Sequence, residues 1–118
     1  MKKIIFLMAL AFGASGCATL GVMDSSLILK IAPQPVYRGK PALAEINAPL
    51  DAVSVTGTVD VMGSPELIFR KDEKKDEWYF YGAIPFSPWV NPGVYLVRVS
   101  ASFAQGPKRY TEMKVELR

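Results

Sequence analysis

Pro92-Gly93-Val94-Tyr95-Leu96-Val97-Arg98-Val99-Ser100-Ala101-Ser102-Phe103 decides the fold class of this 118-residue chain. Tyr95, Val97, Val99, Ala101 and Phe103 fall on one side of an extended strand, while Arg98, Ser100 and Ser102 fall on the other. Period two with one polar side is the signature of an antiparallel sheet packed on a core through one face. Pro92-Gly93 supplies the turn that starts it.

The same alternation recurs outward from this strand. Met113, Val115 and Leu117 oppose Glu112, Lys114 and Glu116. Leu27, Leu29 and Ile31 alternate with Ile28 and Lys30 until Pro33 and Pro35 stop the pairing. Arg38-Gly39-Lys40-Pro41 turns the chain into Ala42 to Asn47, and Pro49 and Asp51 punctuate it before Val53 to Val55. Val59 and Val61 follow Gly57, and Gly63-Ser64-Pro65 leads into Leu67 and Phe69. No segment beyond residue 26 sustains a 3.6-residue period. About seven short strands at spacings of roughly 8–12 residues predict an all-β sandwich.

Two resemblances sharpen that expectation. Pro92-Gly93-Val94-Tyr95 resembles the proline-glycine-any-tyrosine lead-in to a late strand of bacterial immunoglobulin-like domains. More widely, residues 33–118 are similar to the sandwich that precedes the catalytic module of some lysostaphin-type zinc endopeptidases. Pro33, Gly39, Leu67-Ile68-Phe69 and the aromatic strand Trp78 to Ile84-Pro85 stand at matching places. The resemblance implies an immunoglobulin-like antiparallel β-sandwich. It carries no peptidase activity, because the His- and Asp-bearing zinc module has no counterpart here. By the tyrosine-corner pattern, Tyr95 is expected to bond its hydroxyl back to the backbone near the start of its strand.

The first residues read as an export signal. Lys2 and Lys3 precede an apolar run, Ile4 to Phe12, followed by the small residues Ala14-Ser15-Gly16 and then Cys17. This layout resembles the lipobox of bacterial lipoproteins, with Ala14 where leucine is usual. The resemblance implies cleavage before Cys17 and acylation of its thiol, palmitate included. On this reading residues 1–16 are the signal peptide, 17–26 a lipidated tether and 27–118 the domain. Ala18 does not resemble the aspartate of inner-membrane retention signals, which, in a Gram-negative cell, points to the periplasmic face of the outer membrane over the inner membrane. Two other readings stay open: an uncleaved membrane helix extended through Val22, and a conventional signal peptide that leaves a free thiol. From Ile4 to Gly16 the segment would be about 20 Å of helix, short of the roughly 30 Å of bilayer hydrocarbon.

Composition limits the chemistry. Cleavage removes 16 residues and two lysines, leaving 102 residues with 12 basic and 11 acidic side chains. A net charge of +1 with no basic cluster gives no footprint for nucleic acid. A single cysteine forms no intramolecular disulfide, so the core must hold the fold. The chain has no histidine, which excludes Ser-His-Asp hydrolysis and His-ligated zinc or haem. No cofactor is expected beyond the covalent lipid on Cys17, and no catalytic residue is assigned.

Two constellations remain. Arg70-Lys71-Asp72-Glu73-Lys74-Lys75-Asp76-Glu77 carries four charges of each sign and reads as a solvated hairpin tip. Its interleaved lysines would repel a divalent cation, and it lacks the Asp-x-Asp-x-Asp-Gly spacing of a Ca²⁺ loop. Trp78-Tyr79-Phe80-Tyr81 and Phe86-Ser87-Pro88-Trp89 place six of the 13 aromatic residues within twelve positions. In one strand, Trp78 and Phe80 must face away from Tyr79 and Tyr81. Tyr79, Tyr81 and Trp89 are therefore the expected binding surface. The bland alternative has both tyrosines leaning on neighbouring strands and Trp89 plugging the end of the sandwich. The expected function is a lipid-anchored interaction or adaptor domain with a protein or cell-wall partner. The alternatives are peptidoglycan or other carbohydrate binding by the aromatics, or inhibition and regulation of a secreted envelope enzyme.

Overall fold

The computed structural model describes residues 21–61, 63 and 65–118. Among them the chain is all strand and turn, in two packed sheets, and no helix is long and apolar enough to cross a membrane. Nine strands follow in order: β1 (Val22–Met23), β2 (Leu29–Ala32), β3 (Pro41–Ile46), β4 (Ser54–Val59), β5 (Leu67–Ile68), β6 (Arg70–Asp72), β7 (Glu77–Ala83), β8 (Gly93–Ser102) and β9 (Arg109–Leu117). One sheet has the order β1-β9-β8-β4-β5, the other β2-β3-β7-β6. All ladders are antiparallel except that of β1 with β9.

The period-two pattern sorts the side chains as expected. Val97, Val99 and Ala101 of β8 are fully buried, as are Val115 and Leu117 of β9. Val97 stands opposite Val59 on β4 and Met113 on β9, so the inward row continues across three strands. Ile31, Ala44, Ile46 and Trp78 supply the facing layer from the second sheet. Burying a Val- or Leu-sized side chain is worth about 1.5–3 kcal/mol, so this single core is the main stabilising element. On the solvent side of the larger sheet, the Arg98 Nε–H donates to Glu112 at 2.7 Å, directly across from it in the ladder.

Turn chemistry fixes the junctions. Lys40 N–H donates to the Tyr37 carbonyl at 3.0 Å, and Gly39 between them has φ 77°, a left-handed value that glycine takes without a Cβ clash. The β6–β7 hairpin closes through Lys75 N–H to the Asp72 carbonyl, with Asp76 at φ 59°. The charged run is therefore not all tip. Arg70–Asp72 and Glu77 lie in strands, and only residues 73–76 make the turn.

Between Leu67 and Asp72 the chain passes from one sheet to the other. β5 pairs with β4, β6 pairs with β7, and buried Phe69 lies between them. Residues 32–36 make a similar passage on the opposite side: β2 ends at Ala32, and Val36 bridges in parallel to Leu117. Pro33 and Pro35 lack the amide protons a ladder needs, which is why pairing stops there.

One segment departs from the sequence expectation. The stretch read as a tether over residues 17–26 pairs at Val22 and Met23 with Arg109 and Tyr110. Two residues carry no alternation to detect, and the small and polar residues around them masked the strand.

Candidate functional site

The outward face of the β2-β3-β7-β6 sheet carries the two tyrosines. Register sets their neighbours: Lys30, Glu45, Tyr79 and Arg70 form one row across all four strands. Ala32, Leu43 and Tyr81 form the adjoining row. Side chains that share a row in an antiparallel sheet point to the same side, so a charged row with a central tyrosine abuts an apolar row ending in Tyr81.

Trp78 and Phe80 turn inward, as their alternation with Tyr79 and Tyr81 requires. Trp78 is buried, and its Nε1–H donates to the Pro49 carbonyl at 3.0 Å, so the buried indole is satisfied. The Phe80 ring lies 6.2 Å from that of Phe69, tilted by 41°. This inward packing pins the backbone of β7 and presents the alternate residues outward.

Tyr79 is half-buried between its neighbours, whereas Tyr81 is 65% exposed. Together with Ile68, Arg70 and Phe80 they line a groove of about 430 Å³ at the sheet edge. Ile68 ends β5 and Arg70 begins β6, on either side of Phe69 where the chain changes sheets, which is how one short segment brings an exposed apolar side chain and a guanidinium to the same edge. Arg70 makes no ion pair among the described residues. On the other side of Tyr79, the Lys75 ammonium donates to Glu45 at 3.3 Å. That hydrogen bond and the Glu45 charge raise the Lys75 pKa above its ordinary 10.5.

Trp89 is not part of this groove. It sits in the segment linking β7 to β8 and is 73% exposed. Phe86 and Val90 plug the sandwich end there, so the plugging role considered for Trp89 falls to its neighbours. Arg38 clamps the segment: its guanidinium donates to the Ser87 carbonyl at 2.7 Å and to the Val90 carbonyl. Sequence reasoning treated Arg38 as a turn residue, since nothing local ties it to carbonyls about fifty positions later. Ile68 and Arg70 were missed for a related reason: two short strands in different sheets, joined at Phe69, show no single periodicity.

Cys17 lies outside the described residues. Among the described residues no three Asp, Glu, His or Cys side chains converge on a common point. The groove thus offers flat aromatic surface, one aliphatic side chain and one cation that has no ion pair among the described residues. That set suits recognition by burial and by a charge-assisted hydrogen bond. No family model and no curated protein sequence matches the chain.

Proposed function

We propose that this protein is a lipid-anchored cell-envelope protein whose immunoglobulin-like domain binds a protein partner through the Tyr79–Tyr81 face. The single observation that carries the binding reading is the grouping of Tyr79, Tyr81, Ile68 and Arg70 in one open groove. Tyrosine and arginine dominate the energetics of protein interfaces, because each combines a large contact area with a polar end. Arg70 suits a partner carboxylate, and the Ala32–Leu43–Tyr81 row suits an aliphatic patch beside it.

The immunoglobulin-like reading draws support from topology. With β2, β3, β7 and β6 taken as A, B, E and D, and β9, β8, β4 and β5 as G, F, C and C′, both sheets have the strand order of that fold. The Tyr95 hydroxyl donates to the Asn91 carbonyl, as a tyrosine corner requires. The anchor rests on the signal layout ending in Cys17. Two or more acyl chains hold a protein on a bilayer far more firmly than one.

Sugar binding is the weaker reading, because Trp89, the best stacking surface in the chain, lies outside the groove that holds Tyr79 and Tyr81. The test pairs cross-linking of the membrane-bound protein in its native envelope with titration of soluble cell-wall fragments. A cross-linked protein partner that disappears in Tyr81→Ala supports the proposal. Saturable wall-fragment binding with no cross-linked partner would overturn it. For the anchor, Cys17→Ser should leave the domain folded but unprocessed or released from the membrane. Normal processing and retention in that variant would refute acylation.

A further inference from the structure

The end of the sandwich that carries the tether is set by the β1–β9 pairing. β1 runs parallel to β9 and enters beside its first residues. Val22 N–H donates to the Lys108 carbonyl at 2.8 Å, and Asp24 N–H to the Tyr110 carbonyl at 2.9 Å. Gly21 has φ 87°, and a Cβ there would lie 2.4 Å from the Lys108 carbonyl oxygen. Only glycine brings the chain this close to the β8–β9 hairpin.

Cys17 is four positions before Gly21, and four extended steps reach at most about 14 Å. A tether free through Ser26 would instead allow about 30 Å and no fixed orientation. We infer that docking of β1 seats the 103–108 hairpin end of the domain on the phospholipid headgroups, with Val22, Met23 and the hairpin in contact. The inference rests on the proposed acylation of Cys17 and adds the orientation that acylation alone leaves open.

Three further observations fit this seat. Val22 and Met23 are each 51% exposed and line a groove of about 600 Å³ with Phe103 and Pro107, so this end presents apolar side chains that the domain covers only in part. Asp24 is paired with Arg109 at 3.7 Å, so one charge of each sign is cancelled at this end. Lys108 adds an exposed cation there. Tyr37 and the Arg38-clamped Trp89 segment belong to the far end, where Arg38 N–H meets the Arg118 carbonyl. That end is one β9 length away, about 30 Å for nine residues at about 3.4 Å each.

The test uses the full acylated protein, extracted from membranes and reconstituted in phosphatidylethanolamine–phosphatidylglycerol vesicles that carry nitroxide-labelled headgroups. Cys17 is the only cysteine and its sulfur is taken by lipid, so a cysteine introduced at Gln105 or Lys40 labels one place only. A fluorophore on Gln105→Cys should lose most of its emission, and one on Lys40→Cys should keep most of it. Gly21→Ala, which undocks β1 without touching the core, should shrink that difference. Equal quenching at the two positions in protein that floats with the vesicles overturns this inference alone. Protein that carries no lipid mass and fails to float overturns acylation, and this inference with it.

Discussion

The Tyr95 hydroxyl donates a 2.5 Å hydrogen bond to the Asn91 carbonyl oxygen, four residues back along the chain. The Tyr95 ring also packs on Phe86 at 5.7 Å between centroids, tilted by 51°. One side chain thereby ties the turn before β8 to the segment that closes the end of the sandwich. The contact joins local sequence, Pro92-Gly93 followed two positions later by tyrosine, to the packing of a residue nine positions upstream.

Tyr95→Phe keeps the ring and removes only the donor. The Asn91 carbonyl stays accessible to water, so the loss should lie near the net worth of one hydrogen bond, about 1 kcal/mol. Urea unfolding at constant m-value is the measurement. A variant as stable as the wild type would mean that the corner bond contributes nothing, and that the ring contact alone holds the turn.

Core truncation should separate inward from outward positions on the late strands. Leu117 is fully buried, and Leu117→Ala should cost about 3 kcal/mol through lost transfer energy and the cavity left behind. Val94 on β8 is 64% exposed, and Val94→Ala should change stability by less than about 0.5 kcal/mol. Similar costs at the two sites would contradict the assignment of faces.

Those late strands were legible because nearly every residue obeys one period. Tyr95, Val97, Val99, Ala101 and Phe103 face in, as their spacing demands, and Trp78 and Phe80 turn away from Tyr79 and Tyr81 for the same reason. What the sequence hid depends on contacts between distant segments. β1 has only two residues and is held by the backbone of β9, not by its own pattern. Ile68 and Arg70 reach the tyrosine groove because the chain changes sheets around Phe69. Trp89 stands apart from the tyrosines although it is only eight residues from Tyr81, since the segment between them leaves the sheet at Ala83.

The β1 junction should respond to acid. Asp24 accepts from the Ser26 hydroxyl at 2.6 Å and from the Ser26 backbone N–H at 2.9 Å. These bonds, with a smaller share from the Arg109 charge, lower its pKa below the ordinary 3.8. A carboxylate depressed in the folded state stabilises it fully above the unfolded pKa and loses that contribution as pH falls through the folded value. The Ser26 and Val22 amides should therefore exchange faster as pH drops below about 4, after correction for intrinsic rates. Asp24→Asn should flatten this dependence. If the Asn variant keeps it, Asp24 is not the group that controls the junction.

Tyr81 and Trp89 are the two most exposed of the three aromatic side chains that the sequence marks for binding, and the fold places them differently. Tyr81 projects from β7 beside Leu43 and the groove that holds Arg70, whereas Trp89 projects from a segment outside it. Both are so exposed that truncation to alanine should move the unfolding free energy by less than about 0.5 kcal/mol. Their effects on binding should diverge. Loss of a central interface tyrosine typically costs about 2 kcal/mol, so Tyr81→Ala should weaken partner binding by about 30-fold. Trp89→Ala should leave binding within about threefold of wild type, as peripheral positions do. Titration of each purified variant against the cross-linked partner reads both effects. A larger loss at Trp89 than at Tyr81 would move the binding surface to the β7–β8 segment and remove the basis for assigning it to the sheet face.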